Sequence, residues 1–224
     1  MNSSTIPIRI SCAGLIKIVL QEDRFLGTIN ENSLRQGRFV YTPPGGSFHY
    51  FGKTTRDYLE KELGLIFQEN KKDLRLLLPE TVERRRVALE SFATWFSRRK
   101  RREITPSREL YEELIDEQQV LSLQRHGFPK LHFIGTARIQ LQTSRGGQKG
   151  ELTEYFWEIF EAQLTHVSRR LLERGIKQKY PFVHLLTREE IARGITDREI
   201  RCGDYKGHIA IAPSFNYLIA SKPF

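Results

Sequence analysis

Two long stretches, KLHFIGTARIQLQ (130–142) and LTEYFWEIFEAQL (152–164), are dense in aromatic and β-branched residues and are joined by the polar, glycine-bearing TSRGGQKGE. Such a pair has to become sheet. Period-two patterning sends alternate side chains to opposite faces, and the spacing predicts a hairpin. In the second stretch Tyr155, Trp157 and Ile159 share one face, while Glu154, Phe156, Glu158 and Phe160 share the other. The carboxylates on this mixed face read either as structural groups or as remote acids of a site.

The rest of the chain supplies partners for that sheet. Residues 7–20 and 24–29 read as strands around QEDR, and GRFVYT is a short extended piece running into PPGG, residues 43–46, a strongly punctuated turn. From about Lys53 to Arg102 the pattern turns helical and basic, with Val82, Ala88, Leu89, Phe92, Trp95 and Phe96 at roughly helical intervals. The runs Arg84–Arg86 and Arg98–Arg102 read as solvated faces or as contacts for an anion. Near the carboxyl end, TREEIARG predicts a short helix capped by Thr187 and ended by Gly194, and APSFNYLIAS reads as a final helical or extended piece. Arg201–His208 is a polar, glycine-rich stretch that reads either as a ligand-contacting loop or, more simply, as a plain turn.

Between the basic segment and the hairpin lies ITPSRELYEELIDE, residues 104–117. Thr105 is a good N-cap and Pro106 suits the first helical position, so a helix is expected from there to about Gln119. At α-helical spacing Leu110, Tyr111, Leu114 and Ile115 cover one arc, and Glu109, Glu112, Glu113, Asp116 and Glu117 the opposite one. Like charges four residues apart repel, so this acid face predicts a cation beside it: either the basic segment or a divalent metal.

Composition bounds the partners. The 224 residues carry 36 Lys and Arg against 27 Asp and Glu, a formal charge of +9, which suits an anionic partner such as a nucleotide, nucleic acid or acidic membrane, although many basic proteins bind none of these. Cys12 and Cys202 stand far apart in no metal-ligand spacing, which points to a reducing, cytoplasmic setting. The amino-terminal apolar run is broken by Arg9 and Lys17 and reads as a strand, neither a signal peptide nor a membrane span. The histidines, His49, His126, His132, His166, His184 and His208, show no paired ligand spacing.

RELYEEL at Arg108–Leu114 resembles the core of the Nudix box, R-E-U-x-E-E with U a bulky aliphatic residue, and PPGG resembles the glycine turn that opens that box. The order of elements around them is similar too. The resemblance implies an α/β fold, a Nudix-like α/β/α sandwich around a mixed sheet. It would form one domain over 1–224 with a basic helical insertion at about 53–102. It also implies that Glu112 and Glu113 hold magnesium or manganese with help from the Gly46 carbonyl. Glu109 would be a further ligand or the general base, oriented by Arg108. Gly45, Gly46, His49 and Glu158 are the expected substrate contacts. The chain departs from the pattern in three ways: roughly sixty residues separate Gly46 from Arg108, Lys100 stands at the upstream glutamate position, and Ile115 replaces the box glycine. GKTTRDYLEKELG, from Gly52, mimics a box, but Lys53 and Lys61 stand where acids belong.

The split box, the basic insertion, DLRLLLPE and FATWF together resemble the SMODS-associated Nudix group of bacterial nucleotide-signalling defence systems. The expected function is therefore a metal-dependent hydrolase of a nucleoside diphosphate derivative, in antiviral defence. The alternatives are a sensor or effector that binds a nucleotide second messenger without efficient cleavage, and an RNA-binding or cap-processing protein using the basic insertion.

Overall fold

The structure, a computed structural model, describes residues 7–20, 23–29, 34, 37–68, 72–121, 129–142 and 150–220. The hairpin tip at 143–149 and His126 lie outside the described residues. Strands and helices mix throughout, as an α/β fold requires. The strands are β1 (Arg9–Lys17), β2 (Phe25–Ile29), β3 (Val40–Thr42), β4 (Gly45–Ser47), β5 (Ile66–Phe67), β6 (Arg75–Leu77), β7 (Lys130–Gln142), β8 (Leu152–Gln163), β9 (Val183–Leu186), β10 (Ile200–Cys202), β11 (Tyr205–Gly207) and β12 (Ala210–Ile211). The helices are α1 (Lys53–Asp57), α2 (Val82–Ser97), α3 (Ser107–Tyr111), α4 (His166–Lys179), α5 (Arg188–Arg193) and α6 (Phe215–Ile219). One sheet has the order β5-β6-β1-β8-β7 with β4 also on β1; another has the order β12-β3-β2-β9. The second is mixed, since β12 runs parallel to β3 while β2 is antiparallel to both β3 and β9.

By contact density the chain divides into two compact units, Met1–Gly14 with Gly46–Pro106 and Thr136–Glu158, and Leu15–Gly45 with Ser107–Gly135 and Ile159–Phe224. In the first, β6 pairs antiparallel with the start of β1, Ile10 opposite Leu76. The expected helical run from Lys53 to Arg102 therefore also contains strands: in LRLLL a β1 edge with open hydrogen-bonding groups outweighs leucine's helical preference. Helix α2 buries Ala88, Leu89, Phe92 and Phe96. The rings of Phe92 and Phe96 lie 5.5 and 5.3 Å from that of Phe156 on β8, so the phenylalanines of the mixed strand face make core. Val82, though in phase with them by periodicity, is exposed.

In the second unit the core gathers Ile16, Ile18, Leu26, Leu110, Leu114, Leu172 and Ile176, among others. Helix α4 comes close to the chain at Val120, because a Cβ on Gly175 would meet the Val120 carbonyl oxygen at 2.8 Å and its Cα at 2.9 Å. Helix α5 has the expected start and stop. Thr187 and Glu190 form a reciprocal capping box, and Gly194 closes the helix in the left-handed conformation, φ 71°. Arg201–His208 contains the tight β10–β11 hairpin, and the terminal apolar piece is helix α6.

Candidate functional site

The carboxylate helix starts at Ser107 rather than at Pro106. Pro106 is packed against β1 so tightly that a Cβ added at Gly14 would meet the proline Cβ at 2.6 Å. Leu110 and Leu114, four residues apart, are both fully buried and set the rotation of the helix. From Glu112 to Glu117 the backbone widens into a π-helical turn, with the Gln118 N–H donating to the Glu113 carbonyl at 2.9 Å. This departs from the expected uniform α-helix. The i+5 bonding places more residues in each turn and alters the angular offset between side chains.

Glu113 is consequently enclosed, unlike Asp116 and Glu117 on the expected acid face. It is 7 % exposed, beside Leu114. Its Oε2 accepts the Gly45 N–H at 3.1 Å, so the glycine turn and the helix meet across the long intervening segment. Gly45 has φ 135°, a backbone that residues with a Cβ rarely adopt. Burial pushes the Glu113 carboxyl well above the ordinary carboxylate range; the Gly45 N–H pulls against this, and the charges of Glu109, Glu117 and Glu112 push further up. Arg108 spans two of these neighbours, with Nη2 2.8 Å from Glu109 Oε1 and Nη1 3.1 Å from Glu112 Oε2. Asp116 and Glu117 are exposed. The mimic segment behaves differently. Its helix carries Arg56–Glu60 and Asp57–Lys61 pairs four residues apart, so it compensates its own charges.

The model of the SMODS-associated NUDIX domain matches residues 7–214. The chain belongs to that family. No curated protein and no solved structure matches it. This NUDIX domain accordingly has a Nudix-type fold with a hydrolase or effector role in SMODS-associated systems and a nucleotide-derived ligand. Among the described residues, no helix is long and apolar enough to cross a membrane.

Nudix enzymes generally use divalent metals, and the donors in this NUDIX domain suit one. Glu109, Glu112 and Glu113 are hard oxygen donors on one helix, and the buried Glu113 carboxyl is raised in part by the charge of the other two, a strain that a cation relieves. Among the described residues no three His, Cys, Asp or Glu side chains are already gathered as a metal-binding group. The match to a hard cation therefore rests on donor type, carboxylate oxygen, and on the charge crowding around Glu113.

The other expected site residues of the NUDIX domain belong to the first unit, where each has partners. Gly46 sits in β4. His49 places Nε2 2.9 Å from Asp73 Oδ1, and its backbone N–H donates to Glu103 Oε2 at 2.8 Å. Glu158 is 1 % exposed, with its Oε1 2.5 Å from Arg102 Nη2 and 3.4 Å from Arg99 Nε. Arg102 also donates to the Phe96 carbonyl, and its guanidinium lies 3.7 Å from the centre of the Phe96 ring. Part of the basic run Arg98–Arg102 is therefore committed inside the protein, whereas Arg84 and Arg86 are exposed. On the same strand, Glu154 pairs with Arg138 at 2.5 Å.

Residue-level reading missed the Gly45 N–H as a partner of Glu113, and it missed the aromatic pair Tyr180 and Phe182. The second had a visible signal: two aromatic residues flanking a proline in KYPFV.

Proposed function

We propose that the chain is a metal-dependent Nudix-type hydrolase of a nucleoside diphosphate derivative, acting in bacterial anti-phage nucleotide signalling. The observation that carries this reading is the buried Glu113 carboxylate, held by the Gly45 N–H and crowded by Glu109, Glu112 and Glu117. Glu112 and Glu113 would hold magnesium or manganese. Bound there, the ion supplies charge neutralisation for a diphosphate and acidifies a water. The chain's own part follows from its geometry. Glu109, fixed by Arg108 at 2.8 Å, is the group that accepts a proton from the attacking water. Gly45 keeps one oxygen of Glu113 in place, and the raised proton affinity of Glu113 makes its ionised form dependent on a nearby cation. Two buried free cysteines accord with a cytoplasmic setting.

The sensor reading draws on a different observation. Arg108 already neutralises Glu109 and Glu112, and such a face can receive a nucleotide without cleaving it. One experiment separates the two. Release of phosphate or nucleotide is followed from dinucleotides, nucleotide sugars, capped RNA and cyclic oligonucleotides, with magnesium or manganese and with chelator. The hydrolase reading expects metal-dependent cleavage that Glu112→Gln reduces at least about 100-fold. Silence across the panel, with one ligand raising Tm, would replace it with the sensor.

A further inference from the structure

At the carboxyl-terminal end of the carboxylate helix lies a cavity of about 480 Å3, lined by Glu117, Gln118, Gln178, Lys179, Tyr180 and Phe182, with Leu34. Its volume falls within the range of small-molecule sites. Two of its walls are aromatic side chains that folding does not bury: Tyr180 is 50 % exposed and Phe182 is 38 % exposed. The backbone that carries them is pinned. The Tyr41 hydroxyl donates to the Pro181 carbonyl at 2.6 Å. The Phe182 N–H donates to Lys179 O at 2.9 Å, and the Phe182 carbonyl accepts from the Ile29 N–H at 2.8 Å. The Tyr180 ring meets the His184 ring edge-on, with centroids 5.5 Å apart, and His184 in turn meets Tyr41 at 5.5 Å. Burial pushes the Tyr41 phenol far up, so it stays a donor at any working pH.

We propose that this cavity is a nucleobase-binding subsite, which takes the flat heteroaromatic ring of the nucleotide whose phosphates would be held through a cation on Glu112 and Glu113. The proposal rests on the function given above and adds the half of the ligand that the carboxylates leave unread. Stacking on Tyr180 and Phe182 is the main attraction, since every base has a π-face and a rigid aromatic loses little entropy on binding. The exposed amide of Gln178 offers an adjacent donor and acceptor, the pairing that base edges present, while the buried Gln118 amide is anchored by its Nε2 donating to the Ile29 carbonyl at 3.5 Å. Lys179 brings a positive charge to the same cavity, suited to a ribose-linked phosphate. Glu117 belongs both to this cavity and to the carboxylates that act on Glu113. Base subsite and phosphate subsite therefore share one helix.

The test is calorimetric titration of ADP, GDP, CDP, UDP and inorganic pyrophosphate into the full chain, with magnesium and with chelator, for wild type, Tyr180→Ala, Phe182→Ala, Tyr180→Phe and Glu112→Gln. At least one nucleoside diphosphate should bind about tenfold or more tighter than pyrophosphate. Tyr180→Ala or Phe182→Ala should remove that advantage, Tyr180→Phe should keep it, and pyrophosphate should bind all three alike. Both aromatic positions are half exposed, so their truncation should leave the fold intact, as circular dichroism checks. Equal affinity for pyrophosphate and the diphosphates, no binding of any diphosphate, or diphosphate affinity unchanged in both alanine variants would overturn the subsite. Nucleotide binding that falls in Tyr180→Ala but ignores magnesium and Glu112→Gln would keep the subsite and overturn the metal-dependent reading.

Discussion

The Gly45 N–H and the Glu113 carboxylate lie 3.1 Å apart, although 68 positions separate them in the chain. Because Glu113 is raised rather than lowered, the sign of its contribution is opposite to that of an ordinary ion-paired carboxylate. Below its ordinary value of 4.5 both folded and unfolded states hold the proton. As pH rises past 4.5 the unfolded state releases the proton first, so stability falls until the folded carboxyl also ionises. Glu113→Gln, which keeps an acceptor for Gly45, should therefore stabilise the metal-free chain at neutral pH. A gain on the order of 1 kcal/mol, roughly 2–4 °C in Tm, is expected, shrinking to nothing near pH 4. A loss of stability at neutral pH would contradict the geometry.

Arg108 holds Glu109 and Glu112 where a cation would compete for them. In Arg108→Met, the magnesium concentration giving half of the maximal Tm increase should fall by roughly twofold to fivefold, the scale of one half-exposed ion pair. Turnover should fall in the same variant, because Glu109 loses its orienting partner. An unchanged magnesium midpoint would show that the guanidinium and the ion do not share ligands.

The Arg102–Glu158 pair is enclosed, and removing one member strands a buried charge. Arg102→Met or Glu158→Leu alone should cost about 3–5 kcal/mol in chemical denaturation. The double variant Arg102→Met/Glu158→Leu should recover part of that loss. Recovery should be incomplete, since Arg102 also satisfies the Phe96 carbonyl. Additive losses would mean that the two residues act independently.

Gly175→Ala should destabilise by roughly 1–3 kcal/mol through overpacking, since its methyl would press on the Val120 backbone. The measurement is a denaturant midpoint at constant slope. A neutral effect would show that α4 shifts freely away from the end of the carboxylate helix.

Burial holds His184 below its ordinary value of 6.5, aided by Arg24 and opposed by Glu190. Above pH 6.5 both states are neutral there and the residue adds no slope. As pH falls from 6.5 the unfolded state takes the proton first, so stability drops until the folded imidazole also titrates. The Tm of His184→Gln should change less between pH 7 and about pH 5 than that of the parent.

Much of this molecule is legible in its sequence where a residue's environment is set by near neighbours. The capping box of Thr187 and Glu190, the Gly194 stop and the long β7 and β8 strands follow from local chemistry. So does the crowding of Glu109, Glu112 and Glu113 on one helix. What stays hidden depends on distant contacts. An α-to-π change at Glu112 uses the same residue types as an α-helix, so 100° spacing set Glu113 on the acid face opposite the leucines when it is buried beside Leu114. Arg75–Leu77 looks helical until β1 offers it an edge. Glu158 was readable as an acid facing phenylalanines, but its partner Arg102 lies 56 positions upstream in a run that resembles a surface patch. The aromatic cavity needs Gln118 beside Tyr180, an adjacency that no local pattern records.

The separation between the glycine turn and its helix also bears on how such a chain tolerates change in length. For a flexible connector, each doubling of length costs only about 0.6 kcal/mol in closure entropy, so going from ten residues to sixty costs roughly 1.5 kcal/mol. The actual penalty is smaller, because Gly46–Pro106 contains ordered strands and helices rather than loose coil. Polymer statistics therefore leave the contact between Gly45 and Glu113 nearly indifferent to what is spliced between them. What limits a change in that segment is instead its own packing, since β6 is paired with β1 and Arg102 is enclosed with Glu158, so added length belongs in its turns and not in those elements.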